Sequence, residues 1–171
     1  PGGAEAPAPS LVVAPRSVVF NWQREAARFV PGLRVLVHAG AGRVPEAGRF
    51  AAYDLVLTTY GTLRRDIARL KDCEFDHVIL DESQAIKNAH TDSAKAARLL
   101  RGRHRLALSG TPIENHLGEL WSLLEFLNPG LAGSAAVFSA LAGKAGRPDE
   151  NARRMLARAL RPLLLRRTKA E

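Results

Sequence analysis

Apolar residues along this chain follow two rhythms that alternate. Short, nearly unbroken apolar runs have the length of buried strands: Leu11-Val12-Val13-Ala14, Leu33 to Val37, Asp54-Leu55-Val56-Leu57-Thr58, His77 to Leu80, and His104 to Leu108. Between them, apolar residues recur at three- and four-residue spacing. Val18, Val19, Trp22, Ala26 and Phe29 make one such stripe over about 18–29, with Ser17 placed to cap it and Pro31-Gly32 to break it. A Gly-rich loop then runs to about Gly48. Further helices are predicted over about 62–70, from Thr91 or Asp92 to Leu100 with Gly102 closing it, and over about 114–127. The last carries Leu117, Leu120, Trp121, Leu124 and Leu127 on one face and stops at Asn128-Pro129-Gly130. The remainder of the chain reads as helical, about 134–143 and then about 149–160, with Pro162 ending the final helix. Residues 1–10, mostly Pro, Gly and Ala, hold little to bury and read as a flexible lead-in.

Strands alternating with helices predict an α/β fold, a parallel sheet covered by helices on both faces. In such sheets function gathers at the carboxyl ends of the strands. The residues expected there are Pro15-Arg16-Ser17, Thr58-Thr59-Tyr60, Asp81-Glu82 and Ser109-Gly110-Thr111, each set polar, small or charged. The acidic pair stands out, because desolvated carboxylates at the end of an apolar strand are costly without a partner or a metal. One reading is a nucleotide site in which Asp81 holds Mg²⁺ and Glu82 orients or deprotonates the attacking water. The other is a strand running into a solvated acidic turn. These residues alone leave both open.

Composition narrows the partners. The 171 residues include 25 Lys and Arg against 17 Asp and Glu, a net charge of +8 that favours polyanions, nucleic acid first among them. An arginine surplus also serves solubility, and charge does not separate the two. Cys73 is the single cysteine, so no internal disulfide forms, and the five histidines lack metal-ligand spacing and read as structural or surface residues. No apolar run reaches membrane-spanning length and no signal pattern opens the chain, so a cytoplasmic setting is expected, at the nucleoid in a bacterium or in the nucleus of a eukaryote.

Taken in order, the strand ends resemble the first RecA-like lobe of the Snf2 family of helicase-like ATPases, over Leu11 to about Lys169. Leu11-Val12-Val13-Ala14-Pro15 with Asn21-Trp22 and Glu25 is similar to motif Ia, and Asp54 to Tyr60 to motif Ib. Asp81-Glu82-Ser83-Gln84-Ala85-Ile86-Lys87-Asn88 is similar to motif II, and Leu108-Ser109-Gly110-Thr111-Pro112-Ile113-Glu114-Asn115 to motif III. Glu119-Leu120-Trp121-Ser122-Leu123-Leu124 and Phe126-Leu127-Asn128-Pro129 continue motif III, and Leu164-Leu165-Arg166-Arg167-Thr168-Lys169 is similar to the segment leaving the lobe.

The resemblance implies ATP and Mg²⁺ as cofactors, with Asp81 on Mg²⁺ through water and Glu82 positioning the hydrolytic water. It implies Gln84, Ser109, Gly110 and Thr111 as coupling elements, although turn chemistry and capping at Thr111 would use the same residues. It places Pro15, Arg16, Ser17, Thr59, Tyr60 and, on the same surface, Asn115 against the sugar-phosphate backbone of double-stranded DNA, without sequence preference. Trp22 and Trp121 sit on apolar stripes and read as core packing rather than base stacking. Gln84, where His is more widespread, is a variant commoner in bacterial members; Ser83 replaces a usual Ala or Gly and is small enough to fit.

The implied organisation is a lead-in over 1–10, a partial RecA-like lobe over 11–130 and a helical extension with the start of an inter-lobe linker over 131–171. The family's phosphate-binding loop has no counterpart, since Gly143-Lys144 is followed by Ala145 and position 138 is Phe. The expected protein is a DNA-translocating ATPase, possessing a second lobe and acting on some DNA-bound protein complex, of which this chain alone turns over no ATP and leaves part of the sheet uncovered. A non-catalytic DNA- or protein-binding module is the alternative. A nucleotidase of another P-loop family fits the acidic pair but not Ile86-Lys87-Asn88.

Overall fold

The computed structural model describes residues 8–41, 43, 47–110, 117–136, 138, 154, 158 and 161–165. Within them the chain runs β1 (Ser10–Ala14), α1 (Arg16–Phe29), β2 (Val35–His38), a 3₁₀ turn (Ala47–Ala52), β3 (Leu55–Thr59), α2 (Tyr60–Leu70) and β4 (Glu74–Leu80). A 3₁₀ turn (Ser83–Ile86), α3 (Asp92–Leu99), β5 (Arg101–Ala107), α4 (Leu117–Leu127) and a last 3₁₀ turn (Arg161–Leu163) come after it. The five strands are all parallel, in the order β2-β3-β1-β4-β5. The expected α/β sheet is therefore present, with all five predicted strands.

Two cores sandwich that sheet. On one face Val18, Val19, Trp22 and Ala26 of α1 pack over Val12, Ala14, Leu55 and Leu57. On the other, α2, α3 and α4 bury Leu63, Leu70, Ala94, Ala97 and Phe126 against Leu11, Val13, Val56, Val78 and Leu80. The connection leaving β1 thus crosses one face, and those leaving β3 and β4 cross the other. A crevice opens outside the carboxyl ends where neighbouring strands diverge in this way. β4 lies directly beside β1, with Val13 opposite Leu80, so that crevice begins at Asp81.

Several local expectations change. Ser17 does not cap α1: Pro15 does, its carbonyl accepting the amides of Val18 and Val19, because the fixed proline φ lets the chain turn helical at once. Phe29 leaves the apolar stripe and is 70% exposed at the helix end. The Gly-rich loop contains the 3₁₀ turn, from which Phe50 enters the main core. Gly102 does not close α3, which ends at Leu99 with an extended Leu100 after it, but lies inside β5 opposite Phe75. A Cβ there would stand 2.6 Å from Val78 Cγ2, so the glycine sets how closely β5 approaches β4. Thr91, not Asp92, caps α3, its Oγ1 accepting the Ala94 amide.

Beyond α4, Asn128 and Gly130, the latter at φ 81°, end the helix as expected. The helices expected over about 134–143 and 149–160 fall largely outside the described residues, as do 1–7 of the lead-in and 166–169. On the α1 face, Leu106 of β5 is 46% exposed beside Ile79, its register partner on β4.

Candidate active site at the end of β4

β4 delivers Asp81 and Glu82 side by side, and the two carboxylates meet opposite circumstances. Asp81 continues the ladder, its amide donating to the Val13 carbonyl of β1 at 2.8 Å. Its Oδ1 accepts the Glu82 amide at 2.9 Å, and its Oδ2 accepts the indole Nε1–H of Trp22 at 2.7 Å. Its carbonyl accepts the Tyr60 hydroxyl at 2.8 Å. Trp22 comes from α1 on one face of the sheet and Tyr60 from α2 on the other. Trp22 lies on the apolar stripe as expected, with a hydrogen bond that the pattern gave no sign of, whereas the Tyr60 hydroxyl, expected against DNA, turns inward to Asp81. Burial, with the Asp81 and Glu82 charges nearby, pushes the Tyr60 phenol well above its ordinary pKa and keeps it a hydrogen-bond donor.

Glu82 leaves the strand in a left-handed conformation, φ 49° and ψ 52°, alone among the described non-glycine residues in having positive φ. Such a conformation costs an L-residue about 1–3 kcal/mol and gathers at functional sites. It turns the chain into the 3₁₀ segment and lets the Gln84 amide donate to Glu82 Oε2 at 2.7 Å. The Ser109 hydroxyl in turn donates to Gln84 Oε1 at 3.2 Å. A polar chain, Glu82–Gln84–Ser109, therefore links the ends of β4 and β5. The β4–β5 register supports it, since Ser83 donates to the Leu108 carbonyl and Leu108 to that of Leu80, each at 2.8 Å. Ser83 is fully buried, and its small side chain fits, as expected.

The residues trailing the acidic pair anchor it. Ile86 is fully buried, and its carbonyl accepts the Ser122 hydroxyl of α4 at 2.6 Å. Lys87 pairs with Glu119 at 3.2 Å, and the Asn88 carbonyl accepts from Thr91 at the start of α3. Ile86 and Lys87 thus bolt the acidic turn to Ser122 and Glu119 of α4, and Asn88 joins it to the start of α3.

The remaining predicted residues divide by location. Pro15, Arg16 and Ser17 form the first turn of α1, the last two exposed. Thr59 ends β3, its Oγ1 accepting the Thr62 amide at 3.1 Å as the cap of α2. Ser109 and Gly110 are exposed beyond β5. Thr111 and Asn115 lie outside the described residues. Trp121 packs in a small cluster with Leu124 and Phe138, its Nε1 donating to the Gly133 carbonyl, which agrees with a core role.

The donor set fits Mg²⁺. That ion typically takes one or two carboxylates, with waters and substrate phosphates completing its shell. Asp81 offers two oxygens, each with one lone pair engaged and one left for a water of a hydrated ion. Among the described residues no group of three or more His, Cys, Asp and Glu side chains gathers as an all-protein cage would require.

Comparison with known proteins gives this geometry a class. A profile described as "SNF2-related domain" matches residues 3–171. The chain belongs to that family. It is 44% identical over 169 residues to the "Putative ATP-dependent helicase/translocase YwqA" of Bacillus subtilis (strain 168), covering 95% of this chain and 18% of that protein. It is 39% identical over 132 residues to the "TATA-binding protein-associated factor MOT1" of Saccharomyces cerevisiae, covering 76% and 7%. Among solved structures it resembles the "Sulfolobus solfataricus SWI2/SNF2 ATPase core in complex with dsDNA", with a TM-score of 0.84 and 42% identity over 96% of this chain and 34% of the other. The sheet and helices are those of a RecA-like ATPase lobe, and the chain spans less than a fifth of these two curated relatives.

Proposed function

We propose that this chain is the first lobe of an ATP-driven motor that moves along double-stranded DNA without reading its sequence or separating its strands, as a remodeller does. The observation that carries the reading is the pair at the end of β4, a pinned Asp81 beside a left-handed Glu82 linked through Gln84 to Ser109. When bound, Mg²⁺ neutralises charge on the transferred phosphoryl group. Asp81 holds that ion through water. Glu82 orients the attacking water and takes its proton, and its proximity to Gln84 keeps the carboxylate aimed. Gln84 and Ser109, with Gly110 and Thr111, relay the state of that carboxylate toward the DNA side.

Pro15, Arg16, Ser17, Thr59, Tyr60 and Asn115 serve as the DNA face. The exposed Arg16 and Ser17 side chains and the amino ends of α1 and α2 suit phosphate oxygens and read no bases. A net charge of +8 supports the same partner. Resemblance to a SWI2/SNF2 ATPase core in complex with dsDNA, to a putative helicase/translocase and to a TATA-binding protein-associated factor supports a motor acting on DNA and on proteins bound there. These 171 residues contain no Gly-x-x-x-x-Gly-Lys-Ser/Thr loop, and alone they turn over no ATP; a second lobe completes the cleft and supplies an arginine to the transition state. The motor works in the cytoplasm, at the nucleoid, or in the nucleus.

The test is ATP turnover by the full-length protein with and without duplex DNA, beside displacement of a triplex-forming third strand. Duplex-stimulated turnover with third-strand displacement, the duplex itself staying paired, is expected. Binding of duplex without any turnover would support the binding-module alternative and refute the motor.

A further inference from the structure

Asp81 is held from both faces of the sheet, by two side-chain hydrogen bonds that are no part of the strand ladder. Trp22 packs its ring among Val19, Ala14 and Leu57, which accounts for the ring but not for the direction of its single N–H. That N–H reaches 59 residues along the chain to a carboxylate oxygen at 2.7 Å, a charge-assisted bond. Tyr60 packs against the opposite core and sends its hydroxyl to the carbonyl of the same residue. With the Glu82 amide on Oδ1, the Asp81 carboxylate is fixed in both position and plane.

The two holders sit on the segments that form the proposed DNA face. Tyr60 is the first residue of α2, adjoining its cap Thr59; Trp22 lies on α1 fewer than two turns beyond Arg16 and Ser17. A helix transmits a shift of its first turn as a rigid body, so each amino end stands one hydrogen bond from Asp81: α1 through Trp22 on the carboxylate itself, α2 through Tyr60 on the backbone carbonyl that carries it. The Gln84–Ser109 route touches Glu82 instead, so the two connections are separate.

We propose that Trp22 and Tyr60 are positioning residues for the Asp81 carboxylate, and that through them duplex DNA at the amino ends of α1 and α2 raises the affinity of the site for a divalent cation. This rests on the DNA-motor reading for its second half only. A group that orients a metal ligand typically affects metal affinity by about 10–100-fold when removed. Linkage then requires the cation to tighten DNA binding by the same factor by which DNA tightens the cation.

The experiment uses the full-length protein with ADP and Mn²⁺, whose binding is read by electron paramagnetic resonance, with and without duplex DNA. Trp22→Phe keeps a ring in place and removes the donor; Tyr60→Phe removes one hydroxyl. Trp22→Phe is expected to weaken Mn²⁺ binding about tenfold or more without DNA, and Tyr60→Phe by a smaller factor. Wild-type protein is expected to bind Mn²⁺ more tightly with duplex present, and Trp22→Phe to lose that gain. Mn²⁺ affinity within roughly twofold of wild type for both variants would overturn the positioning role. Should Trp22→Phe fail to fold, Tyr60→Phe decides it alone. Duplex that binds wild type yet leaves Mn²⁺ affinity unchanged would overturn the linkage. Wild-type protein that binds no duplex would overturn both the motor reading and the linkage, while the DNA-free titration still decides the positioning role.

Discussion

Asp81 and Glu82 are consecutive residues of the same chemistry, yet the protein treats them as two different devices. Asp81 lies in line with its strand, in an ordinary conformation, tied to β1, α1 and α2. Glu82 stands in the left-handed region, its carboxylate joined to Gln84 and through it to Ser109, just ahead of the 111–116 segment. A carboxylate that holds a cation gains from being immobile, since any reorientation is lost binding energy. In the role proposed for Glu82, aiming a water, the carboxylate would answer to the state of the motor, and a strained backbone linked to a neighbouring strand end suits that. The contrast teaches that the acidic pair is a post tied to three elements beside an arm that reaches only to the end of β5.

The contrast can be broken by substitution. Asp81→Ala leaves the Trp22 indole N–H and the Glu82 amide without their acceptor, and is expected to lower the unfolding free energy by about 1–3 kcal/mol. Glu82→Ala, which strands only one half-exposed amide, is expected to fall well short of that in the same urea titration. Equal losses would erase the distinction.

Gly102→Ala attacks the arm's support. Its methyl would meet Val78 Cγ2 at 2.6 Å and force β5 from β4, with an expected loss of about 1–3 kcal/mol. The shift should also stretch the Gln84–Ser109 bond, a change that amide exchange at Ser83 and Leu108 would register. Glu82→Gly strands the same Gln84 amide as Glu82→Ala but relieves the left-handed strain, and is expected to be about 1 kcal/mol more stable than that variant. Equal stability of the two would show that no strain is held there.

The smallest effect lies away from the pair. Buried His38 is held neutral because burial lowers its pKa, outweighing the opposite pull of Asp66, which Arg43 also engages. The unfolded chain therefore takes up a proton near His38's ordinary value of 6.5 before the folded one does. Stability is full above that value and falls as pH drops below it. Unfolding measured across pH 7 to 5 should show this loss, and His38→Gln should make it shallower.

The fold was largely legible because strands and helices carry different apolar periods; four strands stood where an apolar run did, while β5 is mostly basic and starts at Arg101, three residues before the predicted His104. What the pattern hid was set by partners distant in sequence. Val13 opposite Leu80 places Trp22 over Asp81, and no local rhythm announces a bond between residues 22 and 81. Gly102 resembled a helix stop, because glycine after a helix usually is one; only the nearness of Val78 reveals its purpose. Ser17 had a capping side chain, but Pro15 two residues earlier had already fixed the turn. The acidic pair itself was legible as chemistry, since two carboxylates after Val78-Ile79-Leu80 demand an explanation, whereas the left-handed φ of Glu82 was not, glutamate having no preference for it.

The most direct test of the account is turnover by the full-length protein carrying Glu82→Gln, at saturating ATP, Mg²⁺ and duplex DNA. Glutamine keeps the shape and a hydrogen-bonding oxygen but accepts no proton. Loss of a general base typically lowers the rate by about 10²–10⁴-fold, and a fall of that size with duplex affinity intact is the predicted result. Turnover equal to wild type would contradict the role given to Glu82 and, with it, the account of the site.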